Sequence, residues 1–388
     1  MGHRLYVFDP DCEMAIANGS AYYMPTANIL QMSDDLAFIP AYYAGADDYV
    51  LISRTIDEAF LEERKELLGV NVHPVTLEDA EKQIPLTVIP WGWSPRICHA
   101  LKKIGHAKKW KPEFKELYSR KKAYDCLVSV LPKLPFTETC IIPQVCQHIE
   151  TIEELTAHYP CVAKAPWSSS GRGILFLEKE ITNKEREWLS GVLKKQGYLM
   201  LEKRLNKVYD FAMEFYAGRS TGISFLGLSE FYTGRKGEYK GNFIGQQGKL
   251  EATLCRYLEK GEIALIRDHM IRALTELILP DYEGYLGVDM MIYEDGKGKY
   301  RVQPCVEINL RYNMGIVALY LQKCLSESAE GIFNIEYFPR KGDAYLEHLN
   351  KQKSYPLETD NGKISKGYIN LTPVYSDTHF FAYLLLDN

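Results

Sequence analysis

The chain has 388 residues, of which 46% are hydrophobic and 25% are charged, and its formal net charge is -5. These values indicate a globular protein with a real core and argue against a broad nucleic-acid surface, and no apolar run approaches the roughly 18 residues of a membrane-spanning helix. The nine cysteines are scattered without a CxxC pair, so neither a disulfide framework nor a zinc knuckle is indicated. We therefore expect a cytoplasmic protein with reduced thiols and two or three packed lobes.

The first part of the chain predicts an α/β layer. Short apolar runs, RLYVF (4–8), YVLIS (49–53) and PLTVIPWGW (85–93), alternate with a polar helical segment, TIDEAFLEERKELLG (55–69). A helix rich in Lys and Arg follows at about residues 112–131.

The next part predicts short strands around a Ser/Gly loop. Thr151 and Glu154 match a capping box at the start of a helix. CVAKA, ILFLE and YLMLEKRL predict strands, and the loop SSSGRG (168–173) separates the first two. Lys164 lies inside CVAKA, where a lysine is expensive to bury unless it faces an anion, and the hydroxyls and backbone N–H groups of the loop suit phosphate oxygens. The alternative is a hairpin loop with an exposed lysine.

Two strands near residue 300 predict a hairpin with polar side chains on one face. GYLGVDMMIYED and KYRVQPCVEINLRY flank a glycine turn, so Asp289 comes opposite Glu307. Because strand side chains alternate between faces, Glu307, Asn309 and Arg311 share one face. Carboxylate and amide oxygens suit Mg²⁺, and a guanidinium beside them can clamp a phosphoryl oxygen. The alternative is an ordinary solvated strand face.

Motifs of several other nucleotide-binding and hydrolytic scaffolds are absent from the sequence. There is no GxxxxGK[ST] loop, no GxGxxG after a predicted strand, no HExxH and no GxSxG. A nucleotide would therefore be held by a different scaffold.

Together, the lysine strand with its Ser/Gly loop, the strand LMLEKRL and the ExNxR pattern resemble the ATP-grasp superfamily over about residues 116–325. The resemblance implies an α/β fold in which an N-terminal pre-ATP-grasp domain precedes two α+β lobes that sandwich the nucleotide. The predicted divisions are 1–115 for the N-terminal domain, 116–198 for the small lobe, and 199–388 for the large lobe with a C-terminal extension. ATP and Mg²⁺ are the implied cofactors.

The resemblance also implies a role for individual residues. Lys164 and Arg311 would act in phosphoryl transfer, and Asp289, Glu307 and Asn309 would bind Mg²⁺. The residues implied to contact the nucleotide are Lys121, Lys164, Ser169, Ser170, Gly171, Gly173, Glu202, Lys203, Leu205 and Asp210.

The small-lobe basic residue at the start of the predicted helix is the least regular match. Lys121 takes this position, or Lys122 with a shift of one residue. Arg120 stands where the superfamily usually has Asp or Asn.

The activity implied is that of an ATP-dependent carboxylate–amine ligase, which forms an acylphosphate from a small-molecule carboxylate or peptide and transfers the acyl group to an amine. Two alternatives stay open: an ATP-grasp phosphotransferase without ligation, and a nucleotide-binding regulatory protein without turnover. No nucleic-acid or membrane partner is expected. The sequence leaves open the substrates and whether the chain forms a homodimer.

Overall fold

The computed structural model describes residues 3–83, 85–104, 109–168, 173–234 and 239–387, and these form three β-sheets. Within these ranges, the helices are either too short or too polar to cross a membrane.

The N-terminal domain is a parallel sheet of four strands in the order β3-β2-β1-β4. The strands are β1 (Arg4–Val7), β2 (Tyr49–Leu51), β3 (His73–Val75) and β4 (Thr87–Pro90). The helices are α1 (Cys12–Asn18), α2 (Ala27–Asp35), α3 (Glu58–Leu68), α4 (Leu77–Lys82) and α5 (Pro95–Ala100). The chain leaves β1 toward β2 on one side and returns to β4 on the other, so the loops after β1 and β4 lie side by side at the point where ligands of open α/β sheets bind.

The small lobe is an antiparallel sheet of four strands in the order β5-β8-β6-β7, covered by two helices. Its elements are β5 (Gln144–Cys146), α8 (Ile149–His158), β6 (Cys161–Lys164), β7 (Ile174–Leu177), α9 (Asn183–Gln196) and β8 (Leu199–Lys203). The predicted start of α8 at Thr151 is wrong, because the helix already begins at Ile149. A true capping box lies at α9, where Thr182 and Glu185 exchange side-chain and backbone hydrogen bonds.

The remaining strands form one nine-stranded sheet in the order β13-β12-β9-β10-β11-β14-β17-β16-β15. The strands are β9 (Asn206–Gly218), β10 (Gly222–Thr233), β11 (Tyr239–Ile244), β12 (Gly284–Glu294), β13 (Tyr300–Asn309), β14 (Glu330–Tyr337), β15 (Glu358–Asp360), β16 (Lys363–Asn370) and β17 (Phe380–Asp387). The helices between them are α10 (Gln247–Leu254), α11 (Lys260–Leu277), α12 (Met314–Gln322) and α13 (Asp343–Ser354).

Two short helices, α6 (Phe114–Leu117) and α7 (Arg120–Val130), connect the N-terminal domain to the small lobe. The buried side of α7, including Leu127, packs into the same core as Met270 of α11 and Val288 of β12.

The predicted lobe boundaries differ from the structure at two places. The predicted small lobe includes α7, but α7 packs into the core of the large lobe. The predicted large lobe begins at residue 199, but β8 pairs with β5 and β6 in the small-lobe sheet. The sequence shows neither difference, because the residues of a helix or a strand do not specify which core or sheet it will join.

Candidate functional site

A cleft of about 1220 Å³ lies between the small-lobe sheet and the nine-stranded sheet. Loops and α2 of the N-terminal domain contribute Pro10, Ile29 and Trp91 to its wall. The predicted site residues that line it are Lys164, Glu202, Lys203, Leu205, Asp210, Asp289, Glu307, Asn309 and Arg311.

Lys164 faces the cleft from β6 and is only 6% exposed, so it is not the exposed loop lysine of the alternative interpretation. Its Nζ lies 2.7 Å from Glu202 Oε2 on the neighbouring strand β8. The two side chains meet diagonally, because Lys164 is opposite Met200 and Glu202 is opposite Val162. One of the three ammonium hydrogens is thus used, and the others can reach a ligand.

The end of β8 has an incomplete sheet edge. Glu202 and Lys203 pair with β6 on one side, but on the other side the pairing with β5 stops at Leu201. The cleft wall beside them is apolar and includes Val162, Ile174 and Phe176. A planar heterocycle would meet backbone polar groups and apolar faces here.

Asp210 lies on β9 near this end and is held by two polar neighbours. Its Oδ2 accepts a hydrogen bond from Lys207 Nζ and another, of 2.8 Å, from Thr233 Oγ1. Among the described residues, these two bonds use Oδ2 and leave Oδ1 for other contacts.

The predicted hairpin of β12 and β13 is present, with Asp289 directly opposite Glu307 and Asn309 opposite Gly287. Asn309 Nδ2 donates to Asp289 Oδ2 at 3.1 Å. Burial raises the pKa of Asp289, and the nearby charges of Glu307 and Glu214 raise it further. The spacing of these side chains is thus the one that the alternation of strand residues predicts.

Arg311 follows β13 and bonds to three groups. Its Nε pairs with Glu13 Oε1, its Nη1 donates to Tyr312 O at 3.0 Å, and its Nη2 donates to Asn309 Oδ1 at 3.0 Å. Burial alone would raise the pKa of Glu13, but the Arg311 guanidinium outweighs burial and holds this pKa below its usual value. The pair is therefore ionised, with one hydrogen left on each Nη.

The N-terminal domain contacts this corner through the loops after β1 and β4. Tyr312 N donates to Trp91 O at 2.9 Å. A Cβ on Gly92 would lie 2.6 Å from Cys12 Sγ and 3.2 Å from Arg311 Cβ, so glycine is required for this close approach. Sequence reasoning missed Glu13, since nothing near it in sequence indicates a partner in β13.

Lys121 is not brought into the cleft: its Nζ lies 3.2 Å from Asp125 on the exposed side of α7. The neighbouring Arg120 is buried instead, donates through Nε to Ala165 O at 3.1 Å, and places Nη2 3.0 Å from Glu307 Oε1. Its Nη1 has no hydrogen-bond partner among the described residues. The helical period could have found Arg120, because it shares a face with the buried Ala123 and Leu127.

The Ser/Gly loop is only partly described. Ser169, Ser170 and Gly171 lie outside the described residues. Gly173 O accepts from Ala165 N at 2.8 Å, and a Cβ on Gly173 would lie 2.2 Å from Ser168 Oγ. Gly173 thus closes the base of the loop against β6.

Glu214 is a second residue that the sequence did not indicate. It is buried on β9 in the floor of the cleft, and burial raises its pKa to about 7. Ser229 Oγ donates to its Oε1 at 2.8 Å, and Asn313 Nδ2 donates to its Oε2 at 2.8 Å. Asn313 also caps α12 through Ile316 N, so Glu214 fixes the turn that follows Arg311.

No group of three or more His, Cys, Asp or Glu side chains arranged for a metal occurs in the described parts of the chain. The predicted magnesium set consists of two carboxylates and one amide, so it does not form such a group.

The fold is shared with solved structures of low sequence identity. Biotin carboxylase from Campylobacter jejuni matches 99% of this chain and 87% of its own at 13% identity, with a TM-score of 0.52. N5-carboxyaminoimidazole synthetase from Staphylococcus aureus matches 100% and 94% at 13% identity, with a TM-score of 0.50. N5-carboxyaminoimidazole ribonucleotide synthetase from Thermus thermophilus matches 99% of this chain and 93% of its own at 13% identity, with a TM-score of 0.50.

The chain has the ATP-grasp fold. The predicted fold class is thereby confirmed. No protein-family model matches the sequence, and no curated protein matches it. The cleft described above lies where the two lobes of the ATP-grasp fold face each other.

Proposed function

We propose that the protein is an ATP-dependent carboxylate–amine ligase. A carboxylate oxygen of the substrate attacks the γ-phosphorus of ATP, the bond between this phosphorus and the β,γ-bridging oxygen breaks, and ADP leaves with the bond electrons. The nitrogen of an amine then attacks the acyl carbon, the C–O bond to phosphate breaks, and the amine proton leaves with inorganic phosphate. The chain supplies positioning and charge rather than a nucleophile.

The observation that carries this proposal is the charge arrangement across one cleft. Lys164 faces it from the small lobe, and Arg311 stands beside Asp289 and Glu307 on the other wall. Cations from two lobes around a pair of carboxylates suit a polyphosphate that transfers its terminal group.

The nucleotide fits the end of the cleft near β8. The backbone of Glu202 and Lys203 would bond to the base, Leu205 would pack on it, and Asp210 would bond to the ribose. The Staphylococcus aureus relative was solved with ADP and the Campylobacter jejuni relative with β-γ-ATP. Lys164 and Arg120, whose buried Nη1 lacks a partner among the described residues, would bind phosphate oxygens, with Ser169, Ser170 and Gly171 as the further predicted contacts.

Asp289 and Glu307 fit a magnesium ion. Burial and mutual repulsion raise the pKa of Asp289, and a divalent cation between the carboxylates would relieve both effects. The Asn309 amide oxygen accepts from Arg311 and has a second lone pair for the ion. When bound, Mg²⁺ would neutralise charge on the transferred phosphoryl group.

The test is to trap the acyl intermediate. Amino acids and dipeptides are first screened, with Mg-ATP present, for the release of inorganic phosphate. For the substrate with the highest activity, hydroxylamine then replaces the amine. We expect one hydroxamate per ADP, whereas a phosphotransferase would give ADP without hydroxamate.

A pair of variants on the same hairpin serves as the control. Glu307→Gln should abolish turnover, and Glu294→Gln, farther along β12, should retain it. ADP formation without any hydroxamate would refute the ligase proposal, and a fully active Glu307→Gln variant would refute the magnesium role of Glu307.

A further inference from the structure

The cleft is larger than one ligand needs. Ligand pockets commonly measure about 300–1,000 Å³, and this one has about 1220 Å³. The nucleotide end runs from β8 to the hairpin of β12 and β13. The part beyond β11, which we call the distal chamber, is lined by Ile29, Met32, Glu336, Phe338, Glu347 and Phe380. Nothing in the proposed nucleotide contacts uses it.

The distal chamber is far from the phosphoryl-transfer residues. Its strand β14 is separated from β12 by four strand spacings, which is about 19 Å measured along the sheet. An acceptor that reacts beside Arg311 and also fills the chamber must therefore be elongated, on the order of five extended residues of peptide.

The chamber carries two carboxylates that share one lysine. Lys351 Nζ lies 2.9 Å from Glu347 Oε1 and 3.9 Å from Glu336 Oε2, and it sits over the Tyr383 ring. Tyr383 OH donates to Glu336 Oε1 at 2.9 Å, so this carboxylate is held in place. Among these three side chains, one ammonium offsets one carboxylate, so together they carry a net negative charge. Lys240, on the neighbouring β11, is exposed at the cleft.

The two carboxylates are open to a ligand, whereas the lysine is not. The side chains of Glu336 and Glu347 are 33% and 36% exposed, and that of Lys351 is 14% exposed. A second cation could thus join the pair without displacing Lys351.

Apolar side chains also line the chamber that contains these two carboxylates. Ile29 and Met32 of α2 and Phe338 and Phe380 line the same chamber, and the Phe380 ring stacks on Tyr337 with centroids 4.6 Å apart. Such walls suit an aliphatic stem, and the aromatic faces also attract a cation.

We propose that the distal chamber binds the positively charged far end of an elongated amine acceptor, of which a short C-terminally amidated peptide with a basic last residue is the simplest form. Naming this ligand an acceptor rests on the proposed ligase function. Its binding by Glu336 and Glu347 does not, because it can be measured without turnover.

The test compares two C-terminally amidated tetrapeptides, Ala-Ala-Ala-Lys and Ala-Ala-Ala-Glu, by calorimetry in the presence of Mg²⁺ and a non-hydrolysable ATP analogue. We expect the lysine peptide to bind at least 10-fold more tightly. The double variant Glu336→Gln/Glu347→Gln should remove this preference and leave the affinity for the ATP analogue unchanged. The control Glu358→Gln, on the exposed strand β15, should behave as wild type.

A second variant distinguishes the loss of the binding site from misfolding. Lys351→Met frees both carboxylates from their internal cation, so we expect the lysine peptide to bind more tightly than to wild type, which a damaged fold would not produce. Equal affinity of the two peptides, binding of neither, or an unchanged preference in the double variant would overturn the chamber proposal.

Failure of the chamber and failure of the ligase can be told apart. Hydroxamate formation without any preference for the lysine peptide contradicts the chamber alone. Selective binding of the lysine peptide in a protein that never forms hydroxamate supports the chamber and contradicts the ligase.

Discussion

Two of the cation–carboxylate pairs beside the cleft differ in what they connect. Lys164 and Glu202 lie on neighbouring strands of one small sheet. Arg311 and Glu13 are 298 residues apart and join the large lobe to the N-terminal domain. The first pair is positioned by a single sheet, whereas the second forms only when the N-terminal domain packs against the large lobe. We infer that a change of Lys164 alters mainly the affinity for the nucleotide. The position of the Arg311 side chain depends instead on how the N-terminal domain packs against the large lobe.

The largest effect should come from Arg311→Ala. The hydrogens left on Nη1 and Nη2 of Arg311 would stabilise the negative charge that develops on the phosphoryl group during transfer. We therefore expect kcat to fall by about 10²–10³. The Kd for Mg-ATP should change by less than about threefold. Steady-state kinetics and calorimetry on the same preparation check this, and an equal loss in both would make Arg311 a ground-state contact.

The next effect concerns the other pair. Lys164→Ala removes one charge-assisted contact to phosphate, so Mg-ATP should bind about 10- to 100-fold more weakly, or about 1.5–3 kcal/mol. Lys194→Ala, on the exposed side of α9 in the same lobe, is the matched control. Calorimetry that gives wild-type affinity for Lys164→Ala contradicts the assignment.

A smaller effect should follow from Glu13→Gln, which sharpens the contrast between the pairs. Arg311 loses the carboxylate that fixes its Nε, so we expect kcat to fall about 10-fold while KM for ATP stays nearly constant. Glu13→Asp should recover part of the lost kcat, since it restores the charge. If KM rises and kcat does not change, Glu13 acts on the nucleotide rather than on Arg311.

The smallest effect on activity is expected at a third pair, which lies within the N-terminal domain. Arg96 Nη1 lies 3.0 Å from Asp9 Oδ1, and this pair makes no bond to Arg311 in the described structure. Asp9→Asn should therefore keep kcat within about twofold of wild type, since no interaction with the transfer residues is lost. A large loss of kcat would show that buried charges near the cleft affect turnover even without a contact to Arg311. This result would contradict the distinction drawn between the pairs.

Asp9 should also give stability a pH dependence. Burial raises the pKa of Asp9 to about 6 despite Arg96, from an ordinary value of 3.8. The folded state then binds the proton more tightly than the unfolded chain, so the Asp9 contribution to the free energy of unfolding is full below pH 3.8 and is lost as pH rises through 6. Between pH 4 and 7, thermal melts should show a steeper loss of stability with rising pH in wild type than in Asp9→Asn, because other buried carboxyls such as Glu214 titrate in both proteins.

The sequence predicted those parts of the site that a strand or its nearest neighbour determines. Asp289, Glu307, Asn309 and Arg311 follow from a period of two and one hairpin, and Lys164 from a charge in an apolar strand. The fold was predicted from the resemblance of these segments to the ATP-grasp superfamily, and the structural comparison confirms it.

Long-range contacts and helix phase were harder to predict. Glu13 could not be found, because its partner is set by how two domains pack. Lys121 was preferred to Arg120 by position in a motif, although the buried face of α7 favours Arg120. The assignment of β8 to the large lobe failed because a strand's own sequence does not say which sheet it will join.

The position of β17 in the nine-stranded sheet bears on how the protein is made. This strand, Phe380–Asp387, lies between β14 and β16, and both partners are synthesised before it, β14 by more than 40 residues. While the ribosome is still adding these residues, β14 has an open edge that can pair with another nascent chain. Release of a truncated product before residue 380 should therefore yield aggregates, even though the N-terminal domain and small lobe have already been translated in full.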